Sequence, residues 1–261
     1  MQDRKPGDQT GQPLGKRNIR LKVAFDGTAY HGWQIQHDSP TIQGFIADAL
    51  ARITGEKPTV TGSGRTDSGT HARGLVANFL TGSGIPPAKL LRALNAILPR
   101  DIRILSARSA PIGFHARKNA VSKVYRYQMY LGQVMLPHLA REYFHFPYPV
   151  HLEKMQAAAR MFPGEHDFAS FAKTNAAITN TVRHIFRCEL KKMGRRLLMT
   201  VEGNGFLHHM VRNMAGTLLE VGRGAMNMEQ FQALFTSHDR NLAGFTAPAH
   251  GLVLLKVNYK K

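Results

Sequence analysis

Between residues 18 and 25 apolar and polar positions alternate in a run rich in β-formers, and a period of two predicts a strand. The period then lengthens. Ile42, Phe45, Ile46, Ala49, Leu50 and Ile53 recur at helical spacing, with Thr41 as a start signal and Gly55 as a stop. Residues 59–61 and 75–80 read as strands on either side of a glycine-flanked loop. Leu90, Leu91, Leu94, Ile97 and Leu98 mark a second helix, with Pro86 and Pro87 near its start and Pro99 as its stop. A strand over 102–107 follows. The order strand, helix, strand, strand, helix, strand predicts a split βαβ unit of ferredoxin-like type.

The same order recurs further on, although the two halves share little sequence. Strands are predicted over 121–131, 182–192, 196–202 and 252–259, the middle two joined as a hairpin over Gly194. Helices are predicted over 152–161 and 210–221, with a further short one over 228–235. The expected fold is therefore α+β: two ferredoxin-like halves with antiparallel sheets, meeting edge to edge around a central cleft. The join falls near 111–113, which gives an N-terminal α+β domain over 18–113, carrying the glycine-flanked loop, and a C-terminal α+β domain over 114–261. Residues 1–17 are polar and rich in Gly, Pro and charge. They lack the apolar core of a signal peptide and read as a flexible basic tail.

Composition adds a partner. Apolar residues make up 43% of the 261, enough for a packed core. Lys and Arg number 35 against 17 acids, a formal net charge of +18. An excess of that size points to a polyanion, because neutralising phosphates releases condensed counterions. A membrane role is disfavoured, since no apolar run approaches the ~20 residues of a spanning helix. Cys188 is the one cysteine, which excludes an internal disulfide and a multi-thiolate zinc site, and fits a reducing, cytoplasmic compartment.

Chemistry centres on Gly64-Arg65-Thr66-Asp67-Ser68-Gly69-Thr70-His71-Ala72. One carboxylate, Asp67, sits in a short loop two residues after an arginine. A guanidinium beside it favours the charged form, and an ionised loop carboxylate is a nucleophile or a base. Arg65 is either that ion-pair partner or free to reach into an RNA stack. Taken alone, such a loop is more often a simple turn.

The run resembles the signature of the tRNA pseudouridine synthase A (TruA-like) family. Further runs match that family in the same order: Phe25-Asp26-Gly27, Tyr30-His31-Gly32-Trp33-Gln34, Thr41-Ile42-Gln43-Gly44, Phe114-His115-Ala116-Arg117 and Tyr125-Arg126-Tyr127. Gly164-Glu165-His166-Asp167-Phe168, Phe206-Leu207-His208-His209-Met210-Val211-Arg212-Asn213 and Ala247-Pro248-Ala249-His250-Gly251-Leu252 complete the series. The likeness spans about 18–259; Thr70 stands where the family usually has Val, and Phe25 where Tyr is commoner. It implies a fold of the kind predicted above. It also implies a cofactor-free isomerase that converts uridine to pseudouridine at positions 38, 39 and 40 of the tRNA anticodon stem-loop, and a homodimer. Asp67 is the catalytic position and Tyr125 the active-site tyrosine. Tyr125 can stack on uracil or move a proton through its hydroxyl. Its neighbour Tyr127 shares its face of the strand, so one of the pair can serve in packing alone.

No redox cofactor is needed when a bond moves from N1 to C5 within one nucleoside. A base in a stem must leave the stack to be reached, and arginines suit both the phosphates and the vacated space. Arg117, Lys118, Lys123 and Arg126 form one candidate group, with Arg212 ahead of a later helix. Lys191, Lys192, Arg195 and Arg196 flank a hairpin turn and read as solvated charge. The 13 histidines suggest no metal: none has zinc-hydrolase or deaminase spacing, and the adjacent His208 and His209 would diverge on a helix or strand. Two other functions fit less well. A non-catalytic RNA-binding or remodelling protein would not need Arg65, Asp67 and Tyr125 together. A hydrolase of free nucleosides would not need so basic a chain.

Overall fold

The computed structural model describes residues 15–173 and 180–260. Strands β1 (Arg17–Phe25), β2 (Thr61–Gly62), β3 (His71–Thr81) and β4 (Ile102–Ala110) alternate with helices α1 (Ile42–Thr54) and α2 (Pro87–Ile97). Then come β5 (Ala120–Tyr130), β6 (Phe144–His145), α3 (Leu152–Ala159), β7 (Gly164–Asp167), β8 (Val182–Met193) and β9 (Arg196–Gly203). Helices α4 (Met210–Gly222) and α5 (Met228–Ser237) precede the last strand, β10 (Leu252–Tyr259).

Among the described residues, ten strands form one sheet in the order β4-β1-β3-β10-β5-β9-β8-β7, with β2 on β3 and β6 on β5. Each half contributes the ferredoxin-like order: β4-β1-β3 with β2 alongside β3, and β10-β5-β9-β8. The seam is a short parallel ladder in which Val253 and Leu254 of β10 pair with His71 and Ala72 of β3. The predicted α+β class, with halves meeting edge to edge, is what the molecule adopts.

Local signals set most element ends. Thr41 caps α1 by accepting from the Gly44 amide at 3.4 Å, and Gly55 ends it at φ 74, a left-handed conformation that glycine adopts without strain. In β1, Ile19, Leu21 and Val23 lie opposite Phe79, Ala77 and Leu75 of β3 and are fully buried, joining Ile42, Ile46, Leu50, Leu90 and Leu94 of the two helices in the core. The second half repeats the device, with Tyr125, Tyr127 and Met129 of β5 opposite Val201, Met199 and Leu197 of β9.

Three expectations change. Arg17 belongs to β1, held by its ladder to Thr81 and by its guanidinium on the Ile85 carbonyl, so the tail ends before it; residues 1–14 lie outside the described residues. The strand expected over 59–61 shrinks to Thr61–Gly62, because the Val60 carbonyl is taken by the Gln43 side-chain amide at 2.7 Å. β3 starts four residues earlier than 75, inside the signature run, because its first residues are paired across the seam with β10.

Candidate active site

The Asp67 loop lies where three segments from distant parts of the chain converge. From before α1, the Tyr30 carbonyl accepts from the Ser68 hydroxyl and the Gly69 amide, each at 3.2 Å. Gly27 and Gly32 sit against the loop backbone: a Cβ on Gly27 collides with the Thr70 carbonyl, and one on Gly32, whose φ is +82, with the Thr66 carbonyl. The glycines of these two early motifs thus admit the loop by close approach. From the C-terminal side comes 247–252. The buried His71 ring bridges the two sides, accepting from the Gly27 amide at 3.1 Å through Nδ1 and reaching the His250 carbonyl at 3.1 Å through Nε2.

The carboxylate is met by the start of α4. Arg212 Nη1 donates to Asp67 Oδ2 at 2.7 Å, while its Nε donates to the Ala247 carbonyl, also at 2.7 Å. One planar fork thus fixes the carboxylate and the C-terminal segment together. The rotation of α4 that aims Arg212 is set next door. The wholly buried Asn213 donates to the Phe171 carbonyl at 2.7 Å and accepts from the Thr246 hydroxyl at 2.7 Å.

His208 Nε2 stands 3.4 Å from Asp67 Oδ1, and His209 Nε2 3.5 Å from Oδ2. Their expected divergence does not occur. His209 is the N-cap of α4 at φ 62, so the pair sits on a left-handed corner, neither helix nor strand, and both rings turn to the carboxylate. Burial, which outweighs the attraction of Asp67, pushes the His209 imidazole down to about 4, so it is neutral near pH 7 and its contact is not an ion pair there. The three side chains bring ligand atoms within 4.8 Å of one another. Arg212 already occupies Oδ2 of that carboxylate, so a divalent cation there would have to sit against its guanidinium.

Around Asp67 opens a cleft of about 1060 Å³. Tyr125 lines it, edge-on to Phe206 at 5.1 Å between ring centroids. Burial and then the negative charge of Asp67 hold the Tyr125 phenol well above its usual range, hence protonated. Tyr127 is the member of the pair that packs: its hydroxyl donates to the Pro248 carbonyl at 2.7 Å. Arg65, exposed in the cleft, does not pair with Asp67; that place is taken by Arg212. Arg212 in turn faces the carboxylate and not open solvent, contrary to its expected place among phosphate partners. Arg117 lines the cleft with Lys123. Arg126 does not: it leaves the other face of β5, where its Nε meets Thr200 Oγ1 at 3.3 Å. Lys173 and Arg183 also line the cleft; the sequence gives no local signal for either, since each lies outside the basic clusters.

The family model for tRNA pseudouridine synthase matches residues 22–117 and 158–260. The chain belongs to the tRNA pseudouridine synthase family. Curated relatives align along almost the whole chain. A tRNA pseudouridine synthase A from Geotalea uraniireducens is 44% identical over 93% of this chain and 100% of its own length. Proteins of that name from a Geobacter strain and from Ruminiclostridium cellulolyticum are 42% and 43% identical, again over 93% of this chain and 99% and 100% of theirs. Among solved structures, a chain of an archaeal box H/ACA Nop10–Cbf5 complex aligns at 16% identity and TM-score 0.35, over 77% of this chain and 44% of that one.

Thr70, the departure from the family's usual Val, has a physical signature in this synthase. Its Oγ1 is buried and without a hydrogen-bond partner among the described residues. Val has the same shape without the hydroxyl. Thr70→Val is expected to stabilise the protein by about 1 kcal/mol, as removing a buried unsatisfied hydroxyl does. Thermal unfolding checks this; a lower melting temperature for the variant contradicts it.

Proposed function

We propose that this protein isomerises uridine to pseudouridine in tRNA, with Asp67 as the reacting carboxylate. The observation that carries the reading is the Asp67–Arg212 pair at 2.7 Å, open to a cleft that also presents the Tyr125 ring. The reaction breaks the bond from ribose C1′ to uracil N1, turns the base, and joins C1′ to C5. Asp67 serves it by attack at C1′ or by starting elimination at C2′. Both routes need a carboxylate at the sugar–base junction and return it unchanged. Arg212 fixes the Oδ2 side and leaves the rest of the carboxylate toward the cleft. The Tyr125 ring supplies a face for the detached uracil. Its phenol, held protonated, is available as a hydrogen-bond donor to the base, and can take the C5 proton only after losing its own.

The cleft's cations and the net charge of +18 support an RNA substrate over a free nucleoside. Arg65, exposed at the loop, is suited to fill the space a flipped base leaves. The family resemblance supports the finer assignment: positions 38, 39 and 40 of the anticodon stem-loop, a homodimer, and a cytoplasmic location. The buried, unpaired Cys188 fits a reducing compartment, and among the described residues no helix is long and apolar enough to cross a membrane. Nothing observed favours the non-catalytic RNA-binding alternative.

Unmodified tRNA carrying tritium at uracil C5 tests the reading. Tritium release is expected with no added cofactor, and also with EDTA once the tRNA has been refolded in spermidine. No release under any of these conditions sinks it. Replacing the uridines at positions 38–40 by cytidine should abolish release; persistent release refutes the assigned positions.

A further inference from the structure

Lys123 precedes Tyr125 by two positions on β5, so both side chains leave the same face of the strand and line the same cleft. The groups that bear on its ammonium are the Arg117 guanidinium, from the turn before β5, and the Arg183 guanidinium, from β8; no carboxylate is among them. Its register neighbours, Gly203 on β9 and Val257 on β10, carry no charge. From the catalytic loop it is met by Gly64, where an added methyl group would stand 3.0 Å from Nζ. Arg183 is tethered, its Nη1 donating to the carbonyls of Asn180 at 3.1 Å and Val182 at 2.6 Å. Three positive groups thus line one cleft, Lys123 and Arg183 partly buried and Arg117 exposed, and among the described residues no acid bears on Lys123; the cleft's carboxylate, Asp67, is taken by Arg212. Such an arrangement costs free energy through repulsion and lost hydration, and a bound anion relieves both.

We propose that Lys123, Arg117 and Arg183 form a seat for one phosphodiester group of the RNA strand beside the target nucleotide, and that filling the seat is coupled to protonation of Lys123. The proposal rests on the reading of the cleft as the site of tRNA uridine isomerisation. Burial, then the two guanidinium charges, push the Lys123 ammonium down to about 8. A phosphate supplies the missing counter-charge and raises it again. The direction of the pH effect follows. Below that value lysine is charged in both free and bound states, and affinity is flat. Above it the free protein has lost a proton that the complex keeps. Binding then takes up a proton, and affinity falls by up to tenfold per pH unit until the bound-state value is reached.

The test measures Kd for unmodified tRNA from about pH 6.5 to 9.5 at fixed ionic strength, beside tritium release. Wild-type Kd should rise several-fold across the alkaline half. Lys123→Arg, whose guanidinium does not titrate there, should bind with a flat profile, which also controls for ionisation of the RNA bases. Lys123→Gln should weaken binding about tenfold near pH 7 and lower the magnitude of the salt slope by about one, as loss of a single phosphate contact does. In the free protein, the NMR signal of the Lys123 ε-carbon should titrate near the same pH and move upward with inorganic phosphate. A flat wild-type Kd, an unchanged salt slope for Lys123→Gln, or a Lys123 signal blind to phosphate overturns the seat. Turnover with a flat Kd sinks the seat alone. No turnover, with the Lys123 signal and the Kd both titrating, sinks the isomerase reading and leaves the seat.

Discussion

Asp67→Asn is expected to lower turnover on tRNA by at least ~10²-fold, the least that losing a covalent or proton-transfer step costs, while tRNA affinity stays within a few-fold. The amide is nearly isosteric, but it neither attacks C1′ nor removes a proton. Its carbonyl oxygen can still accept from Arg212, so the fold survives. Only the charge-assisted part of that bond is lost, which costs about 1 kcal/mol, the difference between a hydrogen bond to a charged group and one to a neutral acceptor. The cleft's cations and the Tyr125 face are untouched, so binding persists. Single-turnover tritium release gives the rate, filter binding the affinity, and thermal unfolding the folded fraction. Activity within tenfold of wild type would remove Asp67 from the mechanism. Parallel loss of rate and affinity would make it a structural residue of the loop.

Most of this architecture is legible in the sequence, because its elements declare themselves locally. The periods of two and of helical spacing, Thr41 and Gly55 around α1, and the prolines around α2 all act within a few residues. What is not legible depends on partners far along the chain. The parallel seam of His71 and Ala72 with Val253 and Leu254 leaves no mark in the local pattern of β3. Strand β7, Gly164–Asp167, has no apolar alternation and exists because β8 offers it a ladder.

The site follows the same division. Residue types and spacing show the loop carboxylate, the expectation of a guanidinium beside it, and that Tyr125 and Tyr127 share one face of a strand; the family resemblance, not spacing, points to Asp67 and Tyr125 as the site residues. The identity of the guanidinium is not legible: Arg65 is two residues from Asp67, whereas the arginine that pairs with it is 145 residues away. The convergence of His208 and His209 is hidden for a related reason. Adjacent side chains diverge on regular structure, but the left-handed corner at His209 has no signature in a run that otherwise looks helical. Alternation alone separates Arg126 from the cleft, since an odd offset from Tyr125 puts it on the opposite face of β5.

A place on the RNA phosphates and a place on Asp67 give Arg212 different measurable effects. As a phosphate partner, its loss would weaken tRNA binding and flatten the salt dependence while sparing the chemical step. As the residue that holds Asp67 and the Ala247 carbonyl in one fork, its loss frees the carboxylate from its reacting position. Arg212→Gln is therefore expected to lower kcat by about 10²–10³-fold, the usual cost of removing one preorganised donor at a reacting charge, with Kd for tRNA changed only a few-fold. Arg212→Lys keeps the charge but not the fork. A single ammonium on a shorter reach cannot hold both acceptors in plane, so kcat should fall between wild type and Arg212→Gln. The side chain is only 14% exposed, so part of any loss could come from folding; thermal unfolding of both variants and the Arg212→Lys comparison separate the two causes. An Arg212→Gln variant with normal kcat and a salt slope reduced by about one would return Arg212 to the phosphate backbone, and would leave Asp67 oriented by His208 and His209 alone.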